Sequence, residues 1–120
     1  MKKMKEEYKF DYDESWDRLM ISRKKESDVM DGSIRVLNMI FDFTTKGKVA
    51  NIELLNASDY LESLGVDSRI LNKITEAEFS FQQMGGGYLV SIVLKSGKEV
   101  VGIPYNIHLP SGKQIIPNLP

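Results

Sequence analysis

Along this chain apolar and polar positions alternate with a period of two more often than they recur every three or four, so the pattern predicts strands. Tyr8, Phe10 and Tyr12 alternate with Lys9, Asp11 and Asp13, and Leu19 and Ile21 alternate with Arg18, Met20 and Ser22. The stretch 13–17 between them is rich in residues that bond their own backbone, which predicts an antiparallel hairpin. Residues 23–31 are polar and aperiodic and predict a loop that closes at Asp31-Gly32. Ile34 to Phe43 is apolar on both faces, which predicts one central strand covered on both sides. A loop containing Gly47 then leads into a strand carrying Ile52 and Leu54.

Helix is scarce. Ser58 or Asp59 can cap a short segment through Tyr60, Leu61 and Leu64, with Gly65 as terminator, and Asp67 or Ser68 can open a further turn through Ile70 and Leu71. Leu61, Leu64 and Leu71 are the side chains expected to pack on the sheet. The second half returns to period two. Ala77, Phe79 and Phe81 form one strand face, and Gly85-Gly86-Gly87 breaks the pattern. Tyr88, Val90, Ile92 and Leu94 form the next face, and a return strand runs from Val100 to Tyr105 after the Ser96-Gly97-Lys98 turn. Pro104 has no N–H for a ladder, so that strand either lies at an edge or ends there. The expected fold class is α+β: a mostly antiparallel, curved sheet of about six or seven strands with one or two short helices. It forms one domain over 1–120, with residues 1–7 frayed and 109–120 an irregular tail containing Pro110, Pro117 and Pro120.

Composition narrows the chemistry. The 120 residues are 42% hydrophobic, and 16 Lys plus Arg against 17 Asp plus Glu leave a net charge of −1. That balance lacks the basic excess of a nucleic-acid binder. With no Cys and one His, thiolate catalysis, disulfides and zinc ribbons are excluded. The charged opening residues and the lack of any long apolar run point to a cytoplasmic protein without a membrane span. No cofactor motif stands out: Gly85-Gly86-Gly87 is followed by a strand pattern, not the helix that a phosphate loop requires.

The acidic cluster of Asp11, Asp13, Glu14 and Asp17 is the one place where a metal suggests itself. A calcium loop needs Gly at its sixth position and Glu at its twelfth, where this chain has Trp16 and Ser22. A Mg²⁺ site built on two carboxylates stays open, beside the simpler role of capping a turn. Trp16, in that turn, either anchors a partner or folds back over the hairpin. Glu53 lies opposite the core side of its strand, facing solvent or a subunit interface. His108, beyond the last clear strand, has no nucleophile or carboxylate partner in sequence.

The run Tyr12-Asp13-Glu14-Ser15-Trp16-Asp17-Arg18-Leu19-Met20-Ile21 resembles the opening of a small bacterial and archaeal domain of unknown function, with its Tyr-Asp-x3-Asp-x-Leu-x-Ile pattern. The same family continues with an apolar strand ending in Asp, a Gly turn and a Gly-Ile-Glu-Ile-Leu-Asn-Ala-Ser block. Here these correspond to Ile40-Phe41-Asp42, Gly47-Lys48 and Asn51-Ile52-Glu53-Leu54-Leu55-Asn56-Ala57-Ser58, with Asn51 in place of Gly. The resemblance covers about residues 10–60 and singles out Tyr12, Asp13, Asp17, Glu53, Asn56 and Ser58 as motif positions with structural roles. For the family's short members it implies antitoxin-like partners of small toxin proteins. Apolar residues on both faces of several strands exceed what so little helix can cover. The expected function is therefore a non-enzymatic interaction module, homodimeric or bound to another protein. The alternative is a small-molecule or divalent-metal enzyme using the acidic hairpin turn.

Overall fold

The computed structural model describes residues 6–108, so all but Glu6 and Glu7 of the expected frayed start, and the whole expected tail, lie outside the described residues. Among the described residues eight antiparallel strands form two sheets, where the sequence pattern predicts six or seven strands in one curved sheet. The larger sheet has the order β1-β2-β5-β4-β3, from β1 (Lys9–Asp13), β2 (Arg18–Ser22), β3 (Met30–Val36), β4 (Met39–Thr44) and β5 (Val49–Leu55). The smaller is the meander β6 (Glu76–Met84), β7 (Gly87–Ser96) and β8 (Glu99–His108). Between them lie the helix α1 (Ala57–Ser63) and a 3-10 turn, Ser68–Asn72. No described helix is long and apolar enough to cross a membrane.

The extra strand comes from the apolar run 34–43, which folds back on itself. Val36 pairs with Met39 across a two-residue turn, and Leu37 holds φ at 53°. Hairpin turns of this length favour Gly, Asn or Asp where φ is positive, so a leucine there gives no turn signal. Met30, Asp31 and Gly32 belong to β3 and not to the preceding loop. Register shifts between Met30 and Gly32, leaving Asp31 as the extra residue of a bulge.

The core lies between the sheets. Leu19, Ile21, Met39, Phe41, Ile52 and Leu54 face it from the large sheet, and Phe79, Val90, Ile92, Leu94 and Ile103 from the small one. Strand β6 packs against β1 and β2. There the Tyr8 ring meets Phe79 edge-on at 5.6 Å, and its hydroxyl donates to the Phe79 carbonyl at 2.9 Å. The Arg23 guanidinium sits 4.7 Å over the same ring while its Nε donates to the Val49 carbonyl at 2.9 Å. Phe41 and Phe81 meet across the sheets at 5.3 Å. At the opposite side, the Tyr105 hydroxyl donates to Asn38 Oδ1 at 2.5 Å, tying β8 to the β3–β4 turn.

Helix α1 ends as Gly65 allows. Gly65 at φ 77° donates to the Glu62 carbonyl, and Val66 donates to the Leu61 carbonyl, the paired bonds of a Schellman stop. Leu61 and Leu71 are buried as their spacing predicts, but Leu64 is 42% exposed. It occupies the C-cap, where the chain turns off the helix, and Ile70 fills the core instead. Strand β8 continues through Pro104 to His108 at the edge of its sheet, three residues beyond the predicted end.

Candidate functional site

The motif residues converge where the β1–β2 turn meets the start of α1. Tyr12 stands opposite Leu19 across the hairpin, and the turn closes with the Trp16 amide donating to Asp13 Oδ1 at 3.3 Å. Asp17, at φ 50°, leaves the turn with its carboxylate aimed at the helix. Its Oδ1 accepts the Tyr12 hydroxyl at 2.6 Å and the Ser58 amide at 2.9 Å, and its Oδ2 accepts the Ser58 hydroxyl at 2.6 Å. Its carbonyl accepts the Ala57 amide at 3.0 Å.

Helix α1 is thus capped from 41 residues away. Asn56, the residue at the N-cap position, sits at φ 53° and makes no side-chain cap. The sequence-predicted caps Ser58 and Asp59 lie inside the helix. Asp17 satisfies the amide of Ser58 and places a negative charge at the positive helix end. Burial pushes the Asp17 carboxyl upward, but the bonds from the Ser58 hydroxyl, the Tyr12 hydroxyl and the Ser58 amide outweigh it and hold the group below the usual carboxylate range. The Tyr12 phenol moves the other way. Burial is the largest cause, followed by its bond to Asp17 and the nearby carboxylates, and all raise it well above an ordinary tyrosine.

This hairpin, strand and helix start form one continuous segment. Residues 9–58 match the family model of a protein of unknown function, DUF2283. No curated protein and no solved structure matches the chain. The DUF2283 segment ends at Ser58, the residue bonded to Asp17, so it includes the whole cap and all of the larger sheet.

Within the DUF2283 segment, Tyr12, Asp17 and Ser58 are brought into one network, with Asp13 beside it in the turn. A cation at Asp17 would have to displace both hydroxyl hydrogens from its oxygens. Asn56 supplies backbone geometry only. Glu53 is elsewhere: it lies on the outer face of the large sheet, its side chain 15% exposed, 3.5 Å from Arg18 Nε and opposite Met20 and Ile40. Asn51 donates to Asp42 Oδ2 at 3.3 Å, while Ser33 donates to Asp42 Oδ1 at 2.6 Å. Trp16 is 75% exposed and does not fold back over its hairpin. Among the described residues no group of three or more His, Asp or Glu is placed to hold a metal ion.

The far edge of the sheet lies apart from every candidate site that the sequence offers. Among the described residues strand β3 pairs only with β4, and Met30 through Arg35 are all exposed. Of the eight large hydrophobic side chains exposed among the described residues, four lie in this strand or beside it: Val29, Met30, Ile34 and Leu37. Ile34 stands opposite Phe41, on the core side of the sheet, yet is 38% exposed. The signal for this surface was present in the alternating run itself, but its exposure depends on strand order.

Proposed function

We propose that the chain is a non-enzymatic protein-interaction module that assembles as a homo-oligomer through its larger sheet. One observation carries this reading: among the described residues, half of the exposed large hydrophobics cluster along a single edge strand whose outer backbone groups have no strand partner. An exposed strand of this kind is a template for pairing with another chain. The motif carboxylate that would serve a catalytic reading is instead engaged in capping α1. An antitoxin-like pairing with a small toxin protein, the form suggested by the family's short members, would use the same class of surface.

Sedimentation velocity on the full chain between about 1 and 100 µM, the range of ordinary protein assemblies, tests the reading. A species of twice the 13.7 kDa chain mass supports it, and a monomer at every concentration retires the homo-oligomeric form.

A further inference from the structure

We propose that two copies of the chain join by antiparallel pairing of β3 with β3 about a two-fold axis at Ser33, which makes one continuous sheet of the two large ones. This deepens the homo-oligomeric reading above and rests on it. Backbone direction decides which groups of β3 are free to pair. The Leu55 amide donates to the Asn38 carbonyl at 2.8 Å, so Asn38 points its backbone toward β5. Direction alternates along a strand, so Met39 faces β3 and forms the hydrogen-bonded pair with Val36. Counting back along β3, Ile34 faces β4, whereas Arg35 and Ser33 direct their N–H and C=O groups away from the sheet. Asp31, the bulge residue, is left unpaired by β4.

The side chains then fix the register. A two-fold axis at Ser33 sets Ser33 against itself, Gly32 against Ile34, Asp31 against Arg35, Met30 against Val36 and Val29 against Leu37. Every charged residue meets its opposite, and the two most exposed side chains of the edge, Val29 at 62% and Leu37 at 76%, cover each other. Moving the axis by one residue ruins the match. An axis at Gly32 puts Arg35 against Val29, and one at Ile34 puts Asp31 against Leu37. Among the described residues neither Asp31 nor Arg35 has an ion-pair partner within its own chain. Arg35 Nε donates to the Leu37 carbonyl at 3.0 Å, which holds the guanidinium along the edge.

The occupant is therefore a second copy, selected by charge and apolar complementarity that the strand has with itself. A closed two-fold pair also consumes the free edge, where head-to-tail pairing would leave one open to continue.

Charge exchange tests the proposal on the full chain by sedimentation. Arg35→Asp sets acid against acid twice, and the dimer dissociation constant should rise by roughly 100-fold. The double variant Asp31→Arg/Arg35→Asp restores opposite charges and should return it to within about tenfold of the parent. A second test uses the absence of native cysteine. In Ser33→Cys the two thiols sit on a hydrogen-bonded pair with Cα atoms about 5.5 Å apart, inside disulfide range. Mild oxidation with oxidised glutathione should yield a covalent dimer, and Ser80→Cys on the small sheet should not. If the parent is a dimer but Arg35→Asp leaves it intact, or Ser33→Cys does not cross-link, the edge pairing is wrong and the homo-oligomeric reading survives. A parent that is monomeric at every concentration overturns both.

Discussion

Asp17→Ala is the most informative perturbation of the folded chain, because one carboxylate holds three donors from two elements. The substitution strands the Ser58 amide at the helix start and removes the acceptor for the Tyr12 and Ser58 hydroxyls. Loss of a helix cap costs about 0.5–2 kcal/mol, and hydrogen bonds to a charged group about 1.5–3 kcal/mol each. All three donors are partly buried, so water replaces some of what is lost, and the net cost should be about 2–4 kcal/mol. Urea unfolding followed by far-ultraviolet circular dichroism reads this as a lower midpoint with an unchanged slope. Asp17→Asn keeps one acceptor and the side-chain shape and should cost roughly half as much. In a double-mutant cycle with Ser58→Ala the coupling should be about 1–3 kcal/mol. The sign with pH is also fixed. The folded carboxyl lies below the free value, so its stabilisation is complete above about pH 5 and fades as pH falls through the folded value. Asp17→Asn should therefore lose part of the acid sensitivity of the parent. A cost for Asp17→Ala under about 0.5 kcal/mol, the range of an ordinary surface change, would refute the remote cap.

Three further outcomes follow from the same geometry. Asn38→Ala removes the acceptor for the Tyr105 hydroxyl and the donor to the Leu55 carbonyl, and should lower stability by about 2–3 kcal/mol in urea unfolding. Gly65→Ala meets no steric obstacle, since an added Cβ has open space, but forces alanine to positive φ; it should cost about 1 kcal/mol, read as a lower melting temperature. At about 10 mM Mg²⁺ or Mn²⁺ a carboxylate site of 100 µM affinity would add about 2.7 kcal/mol, several degrees of melting temperature. No such shift is expected, and a shift abolished by Asp13→Ala would return the acidic turn to the enzyme reading.

Features governed by neighbours along the chain were legible. The alternation of Ala77, Phe79, Phe81 and of Tyr88, Val90, Ile92, Leu94 reports directly which face each strand buries, because side chains on a pleated strand alternate sides. Gly65 marked the helix end for an equally local reason. The features that failed are set by distant contacts. Leu37 turns the chain at positive φ with no Gly or Asp to announce it, so two strands read as one buried strand. The cap of α1 comes from Asp17 and not from Ser58 or Asp59, since the helix start is positioned by the hairpin packed against it. The motif residues Tyr12, Asp17 and Ser58 could be picked out by resemblance, but only the fold shows them bonded together. The exposure of Met30 and Ile34 depends on β3 lying last in the sheet, which no period along the chain encodes.

Backbone amide exchange in β3, measured residue by residue across protein concentration, reads the edge pairing itself. The amides of Ser33 and Arg35 point off the sheet in a single chain and bond to the second copy in the pair. These two should slow as concentration passes the dimer dissociation constant, while the inward-bonded Ile34 amide stays protected throughout. Fast exchange at Ser33 and Arg35 in a sample that sediments as a dimer would contradict it.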